Sequence, residues 1–290
     1  VQYPKYPRLR TLPDGSYILF WHSSGVDDAN GKDTHYSLSK DLKTWEYMGY
    51  LWKSYDVFTS VGTNDVRYFT NPNGIVLSNG ELLAIAAFRA VKAYSRQDAQ
   101  SDQGLIVKRS KDGGRTWFGE TEIYHGPCWE AHLIELPSGQ IQAFYSESRP
   151  WISSSHSGTG MVYSDDGGAT WSPKLGDHMR VMRKQWWNIH PSVTKYGPMY
   201  CFTYQMPVGV ILNNSNKFAF AMESANEREV KSSGDFSDHF SIAIAFSRDD
   251  GKWENLQNED VLPREQRIDS LVSRGAAPYL IQFPSGECLL

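Results

Sequence analysis

Two glutamates stand where a pair of carboxylates could do chemistry. Glu130 lies in Cys128-Trp-Glu-Ala-His-Leu133, at the start of an apolar strand-like segment, and Glu223 closes the apolar run that begins at Phe218. A glutamate on an apolar strand is costly to bury unless it has a partner or a chemical task. Two facing carboxylates can protonate a leaving oxygen and attack a glycosidic carbon, or activate water against it. The alternative for each residue is a polar side chain at a strand edge or a strand end.

Glu130 has a neighbour that could tune its acidity. If the strand alternates regularly, Glu130 and His132 point to the same face. We therefore assign Glu130 as the acid/base and Glu223 as the nucleophile. Three aspartates in polar loops could replace one of the glutamates as the acid, or could simply form solvated turns: Asp28, Asp33 and Asp65.

Other side chains could hold a substrate around these carboxylates. Aromatic faces suit the C–H faces of sugars, and arginines suit anionic groups. The candidate substrate-binding residues are Arg8, Asp65, Arg89, Trp129, His132, Tyr145, Glu147, Trp187, His190 and Arg274.

A recurring strand–turn–strand unit must position these residues. Apolar alternation around Pro-Asp-Gly, Ser-Asn-Gly or Pro-Ser-Gly predicts a hairpin. Such units surround five glycines: Gly15, Gly80, Gly139, Gly197 and Gly286. We expect each unit to form the two inner strands of a propeller blade, with ligand-binding side chains at the mouth of the central channel.

A second phrase recurs after these hairpins and predicts turns rather than active sites. Ser110-Lys-Asp-Gly-Gly-Arg-Thr-Trp117 and Ser164-Asp-Asp-Gly-Gly-Ala-Thr-Trp171 are full copies, and weaker copies start at Ser39 and Ser247. Asp and Ser side chains bond nearby backbone N–H groups, and Gly supplies positive φ. We therefore predict a structural role for the four carboxylates of Asp41, Asp112, Asp166 and Asp249.

These phrases resemble the Asp-boxes of the sialidase-like β-propellers, and the resemblance covers essentially the whole chain. It implies an all-β fold, a six-bladed β-propeller of four-stranded antiparallel blades, in a single domain over residues 1–290. Only five hairpin units are visible, and the chain stops within the fifth. We therefore expect the last blade to be incomplete.

Within that superfamily, the pattern is most similar to the exo-1,5-α-L-arabinanases of glycoside hydrolase family 93. In that family a strand start carries one catalytic glutamate, and a later apolar strand ending in Glu carries the other. Glu130 and Glu223 match those places, although Ala131 stands where the family usually has Pro. The resemblance implies a retaining glycosidase that acts on the non-reducing end of an arabinan-like polysaccharide, without cofactor or metal.

Two other readings of the same superfamily remain open. A sialidase would hold the carboxylate of its substrate with three arginines, for which Arg8, Arg89 and Arg274 are the best candidates; the usual Arg-Ile-Pro opening is intact at none of them. A non-catalytic glycan-binding propeller would leave Glu130 and Glu223 far apart.

Composition narrows the remaining possibilities. A net charge of −4 gives no support for binding nucleic acid or anionic membranes, and no apolar run reaches the length of a membrane-spanning helix. No signal-peptide pattern stands at Val1. The three cysteines, Cys128, Cys201 and Cys288, have neither metal-ligand spacing nor a disulfide pattern. We expect a secreted or periplasmic monomer whose partner is an oligo- or polysaccharide.

Overall fold

The computed structural model describes residues 3–24, 33–90, 102–147, 158–173, 179–183, 205–212, 217–230, 236–246, 267–272 and 277–290. Every regular element within these ranges is a β-strand, which confirms the all-β prediction. The strands are β1 (Tyr3–Thr11), β2 (Tyr17–Ser24), β3 (Thr34–Ser39), β4 (Glu46–Trp52), β5 (Tyr55–Phe58), β6 (Asn64–Val76), β7 (Leu82–Ala90), β8 (Gln103–Ser110), β9 (Phe118–His125), β10 (Cys128–Glu135), β11 (Ile141–Glu147), β12 (Gly158–Ser164), β13 (Met179–Arg183), β14 (Gln205–Ile211), β15 (Phe218–Val230), β16 (Phe236–Phe246), β17 (Arg267–Val272), β18 (Ile281–Gln282) and β19 (Cys288–Leu289).

The strands pair mostly with their sequence neighbours. Three sheets have four strands, in the orders β1-β2-β3-β4, β10-β11-β12-β13 and β14-β15-β16-β17, and the β18-β19 hairpin forms a sheet of its own. Where the register is described, each pair is antiparallel. Such meanders need only short connections, as the glycine turns predicted. The count of six blades, the incomplete last blade and the single domain stay predictions.

The sheet β5-β6-β7-β8-β9 has five strands rather than the expected four. The reason is the length of β6, whose first residues extend past β7 and pair with β5 from Asn64 to Arg67. The hairpin closes where the Thr59 N–H donates to the Thr63 carbonyl at 2.9 Å and Gly62 takes a φ of 81°.

The inner hairpins close with one repeated turn. In the first, the Leu12 N–H donates to the Ser16 carbonyl at 2.7 Å, and the Gly15 N–H donates to the Leu12 carbonyl at 2.9 Å. The same pair of bonds closes three further hairpins, and the glycine has positive φ in each: Gly80, Gly139 and Gly286. These four hairpins confirm the predicted unit; the copy around Gly197 lies outside the described residues.

The Ser-x-Asp turns, residues 39–45, 110–117 and 164–171, use their carboxylates locally. Asp112 accepts bonds from the Ser110 hydroxyl at 2.8 Å, the Thr116 N–H at 2.8 Å and the Thr116 hydroxyl at 2.6 Å. The Ser110 oxygen in turn accepts the Gly114 N–H at 2.8 Å. Asp166 repeats this network, and Asp41 accepts the N–H groups of the two residues before Trp45. Asp249 lies outside the described residues.

Chain contacts divide the molecule into two compact units: Val1–Ala143 with Val162–His178, and Phe144–Met161 with Met179–Leu290. In the first, Trp117 at the end of a Ser-x-Asp turn packs edge-on against Phe20 and Tyr36, with ring centroids 6.2 and 5.7 Å away. The turn thereby joins the five-stranded sheet to the sheet β1-β2-β3-β4. In the second unit, one buried apolar cluster among the described residues comprises Val208, Ala219, Ala221 and Leu280.

No helix in the described part of the chain is long and apolar enough to cross a bilayer.

Candidate functional site

Four inner hairpins begin with the same unusual backbone conformation. Tyr6, Asn71, Glu130 and Ala277 have φ angles of 53°, 51°, 47° and 53°. Each of these residues lies nine positions before the glycine of its own hairpin turn. A non-glycine residue seldom adopts positive φ, and such conformations cluster at active sites and ligand clamps. We call these positions the left-handed turns.

The left-handed turns interrupt regular pairing. In the first sheet Lys5 pairs with His22 but Arg8 pairs with Phe20, so β1 carries one extra residue there. The five-stranded sheet has the same shift between Thr70 and Asn73, on β6. A β-bulge of this kind re-aims the side chains that follow it.

The positive φ of Glu130 bears on our expectation for its own strand. Regular alternation, from which we predicted that Glu130 and His132 share a face, requires extended backbone at every residue. The φ of +47° at Glu130 breaks that condition. The spacing of these two residues therefore does not fix their relative orientation.

Three predicted site residues surround this turn in the first unit. The Glu130 side chain is half-buried, and His132 is buried. Arg89, on β7, is buried and holds its guanidinium carbon 4.2 Å from the ring centroid of Trp129. A guanidinium stacked on an indole fixes the ring and places positive charge beside the turn.

Asn73 links the turn of Glu130 to two other sheets. Its side-chain amide donates to the Ala131 carbonyl at 3.1 Å, and the same nitrogen lies 3.4 Å from His132 Nδ1. Its side-chain oxygen accepts from the Arg10 guanidinium at 2.8 Å and from the Gly74 N–H at 2.8 Å. Asn73 thus contacts β1, its own strand β6 and β10.

His22 supports the neighbouring left-handed turn at Asn71. Its Nδ1 accepts the Asn71 N–H at 3.0 Å, so the neutral ring carries its proton on Nε2. Burial, and to a smaller extent the positive charges of Lys5, Arg89 and Arg8, lower the pKa of His22 to about 4. Arg8, on β1, donates to the Pro7 carbonyl at 3.0 Å.

Asp65 lies in the β5–β6 hairpin of the five-stranded sheet. It is buried, and its carboxylate accepts the N–H of Val66 at 2.7 Å. The base of this hairpin is fixed by Arg67, which forms an ion pair with Asp102 and donates to the Tyr55 hydroxyl at 3.0 Å. Asp65 therefore lies in a hairpin whose base is held by an ion pair and a hydrogen bond.

Glu223 does not end its strand, contrary to our expectation. β15 continues seven residues further, to Val230, because residues Ser224–Val230 keep pairing with β16. The Glu223 carboxylate is buried within the second unit and accepts the N–H of Ala277, the left-handed residue of the last hairpin. The hydrogen bond from this N–H stabilises the carboxylate form, while burial opposes it.

The remaining predicted residues fall into three groups. Tyr145 and Glu147 are fully buried on β11, and the ring of Tyr145 packs so closely on Gly160 that a Cβ there would lie 2.8 Å from it. Asp33 is buried and accepts the Ser54 N–H at 2.7 Å, which indicates a structural role. Four residues lie outside the described ranges: Asp28, Trp187, His190 and Arg274.

The carboxylates of the Ser-x-Asp turns are poor proton donors. Hydrogen bonds from the Thr116 hydroxyl and backbone lower the pKa of Asp112 to about 2, and the equivalent bonds from Thr170 lower that of Asp166 to about 2. At neutral pH both are ionised and engaged by their own turns.

Within the described ranges, no group of three or more His, Cys, Asp or Glu side chains is placed to hold a metal ion.

The sequence reasoning missed Asn73, His22 and Arg10. The signal for Asn73 was the constant spacing of nine residues from the left-handed residue to the hairpin glycine, since Arg8, Asn73 and His132 occupy the same place in three successive units. A polar residue at that place, two positions after the left-handed residue, can reach the neighbouring sheet.

No protein-family model matches the chain, and no curated protein sequence matches it significantly. Solved structures do match. The chain has a TM-score of 0.60 and 18% identity to the family 93 α-L-arabinofuranosidase of Fusarium graminearum in complex with arabinobiose, over 98% of this chain and 72% of that one. The α-L-arabinanase of Penicillium chrysogenum complexed with arabinobiose gives 0.59 and 18% over the same shares. A mutant sialidase from Streptococcus pneumoniae gives 0.57 and 11%, over 87% of this chain and 51% of that one.

These likenesses show that the fold is similar to that of the family 93 arabinanases and of the sialidase. The sequence pattern predicted the same resemblance.

Proposed function

We propose that the protein is a retaining, exo-acting glycoside hydrolase that cleaves the non-reducing end of an arabinan-like polysaccharide. The observation that carries this proposal is the left-handed conformation of Glu130, at φ +47°. Strain of this kind costs about 1–3 kcal/mol and persists where surrounding contacts hold it. Of the four residues at this position, only Glu130 has a carboxylate that could exchange protons with a substrate.

Glu130 acts as the acid/base in the proposed mechanism. It protonates the glycosidic oxygen as Glu223 attacks the anomeric carbon, so that the aglycone leaves as an alcohol and a glycosyl–Glu223 ester forms. Glu130 then takes a proton from water, the water oxygen attacks the anomeric carbon, and the ester bond to Glu223 breaks. Carboxylates supply both the proton and the nucleophile, so the reaction needs no cofactor.

The environment of Glu223 supports its assignment as the nucleophile. A nucleophilic carboxylate must be ionised, and the N–H of Ala277 stabilises that form. Burial keeps water away from the reacting oxygen. Glu223 and Ala277 both belong to the second unit, so the bond does not depend on how the two units are arranged.

The substrate proposal rests on the neighbours and on one aromatic surface. Two structural neighbours are complexed with arabinobiose. In this chain the half-buried Trp129 ring, held by Arg89, is suited to the apolar face of a furanose ring. We further propose that the protein is a monomer with a single six-bladed domain. We also propose that it is secreted or periplasmic, because a polymeric glycan is accessible outside the cytoplasm.

Hydrolysis of arabino-oligosaccharides tests the activity. We expect the wild-type protein to release sugar from the non-reducing end, and Glu130→Gln and Glu223→Gln to lose at least about 100-fold in kcat, the lower range for general acid–base catalysis. Azide rescue tests whether the reaction is retaining. With an activated aryl arabinofuranoside as substrate, azide should restore the turnover of the Glu130→Ala variant. The glycosyl azide formed should have the same anomeric configuration as the substrate. Full activity of both Gln variants would falsify the assignment.

A sialidase is the second candidate, because the buried guanidinium of Arg89 lies on the ring of Trp129, next to Glu130. An arginine suits the carboxylate of an anionic sugar. An aryl sialoside in the same assay separates the two activities: a sialidase would hydrolyse it and lose that activity in Arg89→Ala. Binding of glycans without turnover of either substrate would instead indicate a non-catalytic propeller.

A further inference from the structure

The left-handed turn at Glu130 is held by a side chain from another sheet. The carbonyl that follows this residue, that of Ala131, accepts the Asn73 amide at 3.1 Å. The position of the Ala131 carbonyl relative to the chain before the turn depends on the backbone angles of both Glu130 and Ala131. A bond to that carbonyl therefore opposes rotation of the strained residue into an ordinary strand conformation.

Asn73 is itself fixed from the opposite side. Its Oδ1 accepts from Arg10 Nη2 and from the Gly74 N–H, both at 2.8 Å, and Arg10 Nε donates to the Gly74 carbonyl at 2.7 Å. These contacts orient the amide so that its oxygen faces Arg10 and its nitrogen faces Ala131. Asn73 is also buried, so water competes little for either end.

We propose that Asn73 is a positioning residue for Glu130, which holds the left-handed turn so that the carboxylate is presented to the substrate. The inference rests on the proposed role of Glu130 as acid/base. Asparagine is suited to this place because it has an acceptor for Arg10 and a donor for Ala131 on one short side chain.

The substitution Asn73→Asp separates the acceptor function of Asn73 from its donor function. Asn73→Asp keeps an oxygen for Arg10 and for the Gly74 N–H, so the links to β1 and β6 persist. It replaces the donor to Ala131 by a second carboxylate oxygen, which repels the carbonyl. The fold should therefore survive while the turn at Glu130 loses its restraint.

Asn79 provides the matched control. It is an asparagine in the turn of the same inner hairpin, where its Oδ1 accepts the Glu81 N–H at 3.0 Å, and it is exposed. Asn79→Ala removes an asparagine hydrogen bond from this sheet without touching Ala131.

The experiment combines kinetics, thermal unfolding and crystal structures of wild type, Asn73→Asp and Asn79→Ala. For Asn73→Asp we expect kcat on arabino-oligosaccharides to fall about 10- to 100-fold with KM changed less than about threefold, since small misplacement of a catalytic group costs that much. Its Tm should stay within a few degrees of wild type, and the φ of Glu130 should leave the left-handed region. Asn79→Ala should keep wild-type kcat.

Unchanged kcat with unchanged φ at Glu130 in Asn73→Asp overturns the proposal, as does an equal loss of kcat in Asn79→Ala. If Asn73→Asp does not fold, Asn73→Ser serves instead, because the shorter serine side chain cannot span from Arg10 to Ala131. If the wild-type protein hydrolyses no glycoside, the proposed function fails, while the φ of Glu130 in the variant structures still decides whether Asn73 holds the turn.

Discussion

The Ser-x-Asp turn at Asp112 and the left-handed turn at Glu130 both recur along the chain, and both present a carboxylate. Asp112 uses its oxygens within its own turn, on Ser110 and Thr116. Glu130 stands in a strained turn whose restraint comes from Asn73 on another sheet. The first turn is complete by itself, and the second needs its neighbours.

The two repeats also differ in what they keep constant. Every described Ser-x-Asp turn has the same aspartate bonded in the same way. The left-handed turns keep the backbone angle and change the residue, from Tyr6 to Asn71, Glu130 and Ala277. A residue that is the same in every repeat serves the repeated fold. Where one repeat instead carries a reactive side chain, as at Glu130, that residue is the better candidate for chemistry.

The largest expected effect is on kcat, which should fall when the Glu130 carboxylate is removed but not when that of Asp112 is removed. Glu130→Gln should lower kcat by about 100-fold or more, whereas Asp112→Asn should leave kcat within about twofold of wild type. Steady-state kinetics on arabino-oligosaccharides measures both. A loss of activity in a folded Asp112→Asn protein would break the comparison.

Acid should weaken the left-handed turns before it weakens the Ser-x-Asp turns. His22, which accepts the Asn71 N–H, has its pKa lowered from 6.5 to about 4. Its contribution to stability is therefore complete above pH 6.5 and lost as the pH falls to 4, by about 3 kcal/mol for this shift. Asp112 and Asp166, with pKa values of about 2, lose their contribution only below pH 4.

Urea unfolding at intervals from pH 7.5 to 4 measures this slope. His22→Asn keeps an acceptor near the position of Nδ1 and removes the titration, so its free energy of unfolding should vary less with pH than that of wild type. His35 adds to the wild-type slope in the same direction, because burial also lowers its pKa. Parallel curves for wild type and His22→Asn would contradict the expectation.

Removing a Ser-x-Asp carboxylate should cost stability alone. Asp112→Ala deletes the acceptor for the Thr116 N–H and hydroxyl, which should lower the free energy of unfolding by about 1–2 kcal/mol. Chemical denaturation measures this loss, and kcat measured below the unfolding transition should match wild type.

The smallest effect concerns the first Ser-x-Asp turn, which has Leu42 where the full copies have Gly113 and Gly167. All three have positive φ, of 61°, 69° and 69°. Since Leu42 is exposed and strained, Leu42→Gly should stabilise the protein by roughly 0.5–1 kcal/mol. The reverse change, Gly113→Leu, should destabilise it, and thermal unfolding of the two variants checks both signs.

The sequence by itself determined the features that depend on a few consecutive residues. The hairpin at Gly15 and the turn at Asp112 are closed by bonds between residues at most four apart, so their patterns could be recognised without the fold. The apolar alternation around such turns likewise predicted antiparallel sheets. Glu130 was also singled out from sequence, because a glutamate beside apolar residues is costly to bury.

Only the tertiary structure decided how that glutamate is held. The bond from Asn73 to Ala131 joins residues 58 positions apart, and that from Asn71 to His22 joins residues 49 apart. No local pattern encodes such pairs, because they form only when separate sheets pack together. The continuation of β15 past Glu223 was missed for a related reason, since the length of a strand depends on the pairing offered by its neighbour, here β16.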